Sequence, residues 1–234
     1  MTDSPIKLFM IPTVLAEGTQ EAVLSPQILR VIGELDVFFV ENTRTARRFI
    51  SSLKLGKVID NLTFIELTKD TPESETAGAL KSLKTNAGII SEAGCPGVAD
   101  PGAVAVHIAH QLGFHVVPLV GPSSILLALM ASGMSGQSFA FHGYLPIDKV
   151  LRKKTIQTLE REGRQRQQTQ IFMETPFRNN QLLETILEAC MPDTFLCIAA
   201  EVTGPEEFIK TMPVKNWKSN KPDLHKRPTI FLIG

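Results

Sequence analysis

Short apolar runs alternate along the chain with longer segments of mixed polarity. The first apolar runs are Lys7–Ile11, Val37–Val40, Ala87–Ile90 and His115–Val120. They are rich in branched and aromatic side chains, which favours buried β-strands. The segments between them carry apolar residues at helical spacing and predict helices. Alternation of strand and helix indicates a mostly parallel sheet covered by helices on both faces.

The pattern changes after Gly133. The later predicted strands are Phe139–Tyr144, Gln170–Met173, Phe195–Ala200, Phe208–Met212 and Pro228–Ile233. A basic helix is predicted over Lys149–Glu162 and a basic loop over Lys215–Lys226. The sequence therefore predicts an α/β protein of two α/β domains, 1–118 with a mostly parallel sheet and 119–234 with a mixed sheet.

Composition narrows the functional classes. The chain has 234 residues, 43% of them hydrophobic, which is enough to bury one large core or two small ones. Its formal net charge of zero argues against binding nucleic acid by overall charge and leaves a local basic patch open. The three widely spaced cysteines form neither a disulfide framework nor a zinc pattern, so no metal is expected and a reducing, cytoplasmic setting fits. The beginning of the chain lacks the features of a signal peptide, and no apolar run is long enough to span a membrane.

The stretch Ser91–Gly102, SEAGCPGVADPG, follows one of the predicted strands and precedes a predicted helix. Glycine lets a backbone approach a ligand closely, and proline stiffens a turn. Asp100 is expected to cap the helix, with Pro101 at its first position. Ligands of open α/β sheets bind at the carboxyl ends of strands. The alternative is a tight turn that only reverses the chain.

A second loop of this kind, Gly121–Ser124, leaves the next strand and opens another helix. Its two serines offer hydroxyl and backbone N–H groups at a helix N-terminus, which suits a ligand. The alternative is that a serine here only caps the helix. Both loops are expected on the same edge of one parallel sheet.

These motifs together resemble those of a known family. The runs Ser91–Gly102 and Val120–Ser124 are followed by Phe141–Pro146 with Lys149, by Glu174–Arg178 and by Ala200–Glu207. In this order they resemble the S-adenosylmethionine-dependent tetrapyrrole methylase superfamily, and within it the ribosomal RNA small-subunit methyltransferase I family. The resemblance covers nearly the whole chain.

The resemblance implies a fold, a cofactor and partners. It implies two α/β domains with S-adenosylmethionine held in the cleft between them, a homodimer, and an rRNA or small-ribosomal-subunit substrate methylated at a ribose 2′-hydroxyl of 16S rRNA. The cofactor-binding residues that it implies are Gly94, Cys95, Ala99, Ser123, Ser124, Met173, Ala200 and, less directly, Thr229. Met173 would pack on the adenine.

Departures from the family pattern fall on the acceptor side. The first loop, Pro12–Gly18, differs from the family's TPIGNLxD, Asn42 and Thr45 replace an aspartate and a histidine, and Phe177 replaces a histidine. Three functions therefore stay open: an rRNA methyltransferase, a methyltransferase of a small molecule such as a tetrapyrrole, or a cofactor-binding module without catalysis.

Two groups of charged residues are candidates for handling the acceptor. Glu41 and Glu92 are both possible general bases for a ribose hydroxyl, and the sequence does not rank them. A basic rim that contacts phosphates is the second hypothesis. Its members would be Arg44, Arg47, Arg48, Lys149, Arg152, Lys153 and Lys154. Each of these residues has the alternative of a solvated helix face.

Overall fold

The computed structural model describes residues 5–234. They form two compact units, one ending at Ser123 and the other spanning Ser124–Gly234. The domain boundary expected after residue 118 stays a prediction. Within 5–234, no helix is both long enough and apolar enough to cross a membrane.

The first unit is built on a fully parallel sheet. In chain order its elements are β1 (Lys7–Ile11), α1 (Gln20–Val23), α2 (Pro26–Glu34), β2 (Val37–Val40), α3 (Thr43–Ser52), β3 (Thr63–Glu66), α4 (Glu73–Ser82), β4 (Ala87–Ile90), α5 (Gly102–Gln111) and β5 (His115–Pro118). The strand order is β3-β2-β4-β1-β5, and every neighbouring pair is parallel. Loops that leave the carboxyl ends of these strands therefore share one edge of the sheet.

Both faces of this sheet are covered. The consecutive residues Phe38 and Phe39 of β2 are fully buried and belong to two different apolar clusters. Successive side chains of a strand point to opposite faces, so the continuous apolar run of β2 serves both clusters. The mostly parallel first sheet that the sequence predicts is confirmed.

The second unit has a mixed sheet. Its elements are α6 (Ser124–Ser132), β6 (Phe139–Tyr144), α7 (Lys149–Arg166), β7 (Thr169–Met173), a 3-10 turn (Pro176–Arg178), α8 (Asn179–Ala189), β8 (Phe195–Ala200), β9 (Phe208–Pro213), α9 (Val214–Trp217) and β10 (Thr229–Ile233). The strand order is β6-β7-β10-β8-β9, in which β6 and β7 are parallel and the other pairs are antiparallel. The predicted mixed sheet is confirmed.

The core of the second unit surrounds Trp217, the single tryptophan of the chain. Trp217 is fully buried, and its indole Nε1–H donates to the carbonyl oxygen of Leu196 at 2.9 Å. Its ring also meets that of Phe208 edge to face, with the centroids 6.3 Å apart. The bond satisfies the only polar atom of a large apolar side chain, which makes its burial favourable.

Two local expectations are corrected and one is confirmed. Helix α5 begins at Gly102, so Pro101 precedes the helix instead of occupying its first position. The interruption near Ser25–Pro26 that the sequence predicts within 20–32 is present, because two helices are separated at Ser25, whose backbone is extended. The basic loop expected over 215–226 begins inside helix α9, because Val214 and Trp217 are drawn into the core.

Candidate active site

The loops after β1 and β4 are joined at the carboxyl edge of the parallel sheet. The backbone N–H of Thr13 donates to the carbonyl oxygen of Gly94 at 2.9 Å. The Ser91 hydroxyl, which is buried, donates to the same oxygen at 3.0 Å. Strands β1 and β4 are neighbours in the sheet, so their loops leave side by side and fix each other. The loops after β1 and β4 thus lie together at the carboxyl edge of the sheet, where ligands of α/β sheets bind.

Backbone hydrogen bonds and unusual torsions shape the β4 loop. One carboxylate oxygen of Asp100 accepts the N–H groups of Gly97 and Gly102, each at 2.8 Å. Asp100 thus accepts the first N–H of α5, but Pro101 and not Asp100 occupies the N-cap position. Ala99, just before Asp100, has φ +62, a left-handed conformation that is uncommon for a residue with a Cβ. A conformation of this kind persists only where its surroundings fix it.

Gly94 stands where a side chain has little room. Its φ is +73, and a Cβ built on it would lie 3.0 Å from Leu15 Cδ2 and 3.3 Å from the Pro122 carbonyl oxygen. Those two atoms belong to the loops after β1 and β5, so three loops meet at this glycine. The family resemblance places Gly94 at the cofactor, and the close approach of backbone here suits that role.

The same loop presents unused hydrogen-bond donors. The backbone N–H groups of Ala93, Gly94 and Cys95 donate no hydrogen bond to any other residue of 5–234. Gly94 is buried and Cys95 half-buried, and N–H groups in such places are normally paired, so these two donors at the carboxyl edge of the sheet suit an anionic or carbonyl group of a ligand. The amino acid portion of S-adenosylmethionine carries a carboxylate of this kind, and the loop therefore fits that cofactor.

Cys95 is half-buried beside the second loop. Its Sγ lies 3.3 Å from the Pro122 carbonyl oxygen, to which the thiol donates. Burial raises the pKa of the Cys95 thiol. A neutral thiol is a poor nucleophile, so the geometry gives Cys95 a packing and positioning role. It links the two glycine-rich loops that the sequence singled out.

A cavity of about 390 Å³ opens at this edge of the first unit. Its walls are the loop after β1, the exposed face of α3 and the beginning of the β4 loop. The lining includes Thr45, Arg48 and Glu92. The first loop and Thr45 are also departures from the family pattern, so those departures change the walls of this cavity. The volume lies within the range of small-ligand pockets.

The structure separates the two candidate bases by their positions. Glu92 is exposed and lines the cavity, whereas Glu41, directly after β2, is half-buried and is not part of the lining. A carboxylate oxygen of Glu41 accepts the backbone N–H of Glu92 at 3.1 Å. Glu41 therefore holds the backbone that carries Glu92.

Glu41 is also the carboxylate with the more unusual environment. Burial raises its pKa, the hydrogen bond from the Glu92 backbone lowers it, and the charges of Asp100 and Glu92 raise it again, with a net upward shift. Burial likewise raises the pKa of Asp100 against its two backbone hydrogen bonds. Such shifts concentrate at functional sites, and they make this edge electrostatically distinct.

The second unit brings three other predicted cofactor residues to one end of its sheet. Met173 ends β7 and is half-buried, Ala200 ends β8, and Thr229 begins β10. Ala200 and Thr229 are direct partners across neighbouring antiparallel strands, and the Thr229 hydroxyl donates to the Arg227 carbonyl oxygen at 2.8 Å. Met173 is paired with Ile230, the residue after Thr229. Ala200 is fully buried, and its predicted part in cofactor binding stays a prediction.

Ser123 and Ser124 lie at the division of the chain into its two units. Ser123 is the last residue of the first unit, and Ser124 is the first residue of both the second unit and α6. The two serines are half-buried. Their predicted part in cofactor binding stays a prediction.

The predicted basic rim is only partly exposed. The side chain of Arg152 is buried, and its guanidinium donates to the Thr185 hydroxyl at 3.2 Å and to the Ile147 carbonyl oxygen at 3.4 Å. The inference that Arg152 faces solvent with Lys149 and Lys153 is therefore wrong, because α8 covers it. Lys149 and Lys153 share one ion-pair partner, Glu188.

In the first unit, the arginines of α3 differ in their surroundings. Arg47 pairs with Asp60 and lies over the ring of Phe64. Arg44 and Arg48 are exposed, and only Arg48 lines the cavity. Sequence periodicity could not single out Arg48, because the cavity depends on three segments that are far apart in the chain.

Comparison with known proteins follows this geometry. The chain is 30% identical over 235 residues to the ribosomal RNA small subunit methyltransferase I of Vibrio cholerae, covering 97% of this chain and 76% of that protein. It is 31% identical to the protein of the same name from Bacillus subtilis, covering 87% of this chain and 66% of that protein. No protein-family model matches the chain.

Solved structures show the same fold. The methyltransferase CobJ matches with a TM-score of 0.64 at 17% identity, covering 99% of this chain and 94% of that one. Uroporphyrin-III C-methyltransferase of Thermus thermophilus, complexed with S-adenosylhomocysteine, matches with a TM-score of 0.57 at 13% identity, covering 97% of each chain. The predicted tetrapyrrole methylase fold is confirmed.

Proposed function

Because this chain belongs to the ribosomal RNA small subunit methyltransferase I family, we propose that it transfers the methyl group of S-adenosylmethionine to a ribose 2′-hydroxyl of small-subunit rRNA. The observation that carries the proposal is identity of 30% over nearly the whole chain. The geometry at the β4 loop supports the cofactor part, and the cavity beside it supports the acceptor part.

The cofactor part rests on the loops of the first unit. The free N–H groups around Gly94 would bind the carboxylate of the methionine portion, and Cys95 and Ala99 would shape the loop. Ser123 and Ser124 would add hydrogen bonds, and Met173 with the backbone of Ala200 and Thr229 would contact the adenosine portion. When bound, S-adenosylmethionine supplies a methyl group activated by a positively charged sulfur.

Glu92 is proposed as the general base and Glu41 as the residue that positions it. As the ribose oxygen attacks the methyl carbon, the carbon–sulfur bond breaks, a carbon–oxygen bond forms, and the hydroxyl proton passes to the Glu92 carboxylate. The Glu41 carboxylate accepts the Glu92 backbone N–H at 3.1 Å, which fixes the backbone position from which the Glu92 side chain extends. Positioning of this kind supplies much of the rate in such displacements.

Mass spectrometry of rRNA from cells with and without the gene tests this function. The expected result is one ribose methylation in small-subunit rRNA that disappears with the gene and returns on complementation. Glu92→Gln should fail to restore it while binding S-adenosylhomocysteine normally. An unchanged rRNA, together with normal cofactor binding, would refute the rRNA acceptor and leave a small-molecule acceptor or a non-catalytic role.

A further inference from the structure

The second unit exposes an aromatic side chain on a rigid support. Phe177, in the 3-10 turn after β7, is 67% exposed. Its ring meets the exposed ring of His225 edge to face, with the centroids 6.1 Å apart. The backbone N–H of Lys226 donates to the Pro176 carbonyl oxygen at 3.0 Å. The segment that carries His225 is thus fastened directly to the turn that carries Phe177.

Further hydrogen bonds fix both segments to the beginning of α8. The Asn179 amide donates to the Arg227 carbonyl oxygen at 2.6 Å. The Asn180 amide donates to Asp223 at 2.8 Å and accepts the Leu224 N–H at 2.8 Å. These hydrogen bonds hold the backbone that carries Phe177 and His225 in place before a partner binds. Such preorganisation lowers the entropic cost of binding.

Two basic residues directly follow the two rings in the chain, Arg178 after Phe177 and Lys226 after His225. The Arg178 guanidinium donates to a Glu174 carboxylate oxygen at 2.6 Å, and that carboxylate is almost completely buried while Arg178 stays 31% exposed. An arginine guanidinium is always protonated, and hydrogen bonding to Glu174 raises the pKa of Arg178 further. Lys226 is exposed, and no acidic side chain among residues 5–234 forms an ion pair with it.

Charge distribution favours an anionic partner here. Lysine and arginine outnumber aspartate and glutamate in 124–234, whereas the acidic residues prevail in the part of the chain up to 123. Asp223, two residues before His225, is exposed and accepts hydrogen bonds from the amide of Asn180 and from the N–H of His225. We call Phe177, Arg178, His225 and Lys226 the aromatic-basic surface.

We propose that the aromatic-basic surface binds a single-stranded segment of RNA, with an unpaired base stacked on Phe177 and flanking phosphates held by Arg178 and Lys226. This rests on the proposed rRNA substrate and adds a second contact to it, made by the second unit. Aromatic side chains stack on bases of any sequence, and cations beside them follow the phosphate backbone. Binding of a protein partner or of a second copy of the chain at this surface is a separate outcome of the test.

The direct test is fluorescence anisotropy with a labelled single-stranded RNA of about 15 nucleotides and a duplex RNA of equal length, at several salt concentrations. Phe177→Ala should weaken binding of the single strand about 10- to 100-fold, because stacking on one aromatic residue contributes that much. Phe177→Tyr should stay near the unsubstituted affinity. Lys226→Ala should reduce the salt slope by about 0.7. Duplex RNA should be affected little by Phe177→Ala.

Phe195→Ala is the matched control, because Phe195 is also an exposed phenylalanine of the second unit, at 51%. It should bind single-stranded RNA like the unsubstituted protein. Equal affinities of Phe177→Ala and Phe195→Ala would overturn the proposal, and so would absence of RNA binding by the unsubstituted protein. A change of oligomeric state in Phe177→Ala, measured by sedimentation with RNA affinity unchanged, would assign the surface to self-association and overturn it too.

The outcomes for this surface and for the proposed function are separable. RNA binding through Phe177 without any rRNA methylation that depends on the gene would refute the function alone. Gene-dependent methylation together with unweakened RNA binding by Phe177→Ala would refute the aromatic-basic surface alone.

Discussion

Two glycines with the same backbone conformation differ in the space around them, which distinguishes a glycine required by a turn from one that lies at a candidate ligand site. Gly94 has φ +73 and Gly113 has φ +74. A Cβ on Gly94 would meet Leu15 and Pro122, whereas a Cβ on Gly113 would meet nothing within 4 Å. Both positions favour glycine for its left-handed conformation, but only Gly94 lies where the loops converge.

Gly94→Val should therefore abolish binding of S-adenosylhomocysteine while leaving a folded protein. Each of Gly94→Val and Gly113→Val should lower the free energy of unfolding by about 1–3 kcal/mol through backbone strain, but Gly113→Val should leave the affinity for S-adenosylhomocysteine unchanged. Calorimetry gives the affinities and urea unfolding gives the stabilities. Normal affinity in Gly94→Val would show that the loop is only a structural turn.

Glu41 provides a prediction about pH. Its pKa in the native protein is raised above the ordinary 4.5, so the native state holds this proton more tightly than the unfolded chain does. The unsubstituted protein accordingly loses stability as pH rises from about 4.5 through the raised native value. In Glu41→Gln the amide oxygen can still accept the Glu92 N–H, and that loss is absent.

The unfolding free energy of Glu41→Gln, relative to the unsubstituted protein, should therefore increase between pH 4.5 and 7. Urea unfolding at a series of pH values measures the difference. A difference that stays constant with pH, or that falls as pH rises, would contradict the burial of this carboxylate as its main influence.

At the residue scale, the sequence predicts the local role of a residue better than it predicts which residues contact it in the fold. The close approach at Gly94 follows from a glycine in a loop after a strand. The different roles of Glu41 and Glu92 do not follow from the sequence, because the hydrogen bond between them joins residues 51 positions apart. Arg152 was misplaced for the same reason: its periodicity matches Lys149, but Thr185 covers it from α8.

At the scale of elements, two helical glycines give opposite expectations. Gly78 in α4 is exposed, and a Cβ there would meet nothing within 4 Å. Gly163 in α7 is buried, and a Cβ there would lie 2.9 Å from the Gln168 carbonyl oxygen and 3.2 Å from Gln170 Cγ. The backbone atom cannot withdraw easily, because Gln168 itself bonds to the carbonyl oxygen of Gly163.

Gly78→Ala should stabilise the protein by about 0.4–1 kcal/mol, as alanine usually does in a helix. Gly163→Ala should destabilise it by about 1–3 kcal/mol, because overpacking exceeds that gain. Urea unfolding followed by far-UV circular dichroism measures both. Stabilisation by Gly163→Ala would mean that the end of α7 adjusts freely to the larger residue.

Elements were predictable where one signal dominated. The apolar run of β2 and the Ser25–Pro26 break between α1 and α2 are local features that periodicity and proline chemistry capture. The beginning of α3 combines a local cap, since the Asn42 side chain accepts the Thr45 N–H, with a distant contact, since the Thr43 N–H donates to Glu66 on β3 at 2.9 Å. Helix α9 likewise exists because Val214 and Trp217 reach the core, whereas the lysines of 215–226 predict a basic loop.

For the whole molecule, the division of charge matters more than its zero total. The second unit carries the excess of lysine and arginine, and the first unit carries the excess of acid together with the Glu41–Glu92 pair. The net charge of zero argues against electrostatic nucleic-acid binding by the whole chain, but it is the sum of a slightly acidic first unit and a slightly basic second unit. Proposed contacts with RNA phosphates belong to the second unit, while the acceptor cavity belongs to the first.

The buried Trp217 has a spectroscopic consequence. The single tryptophan and the single tyrosine, Tyr144, both belong to the second unit, so near-ultraviolet emission of the protein originates there. Intrinsic fluorescence during denaturation should follow loss of the second unit alone, whereas far-UV circular dichroism follows both. Coincident midpoints would show that the two units unfold cooperatively. Separate midpoints would give each unit its own stability, from one unlabelled sample.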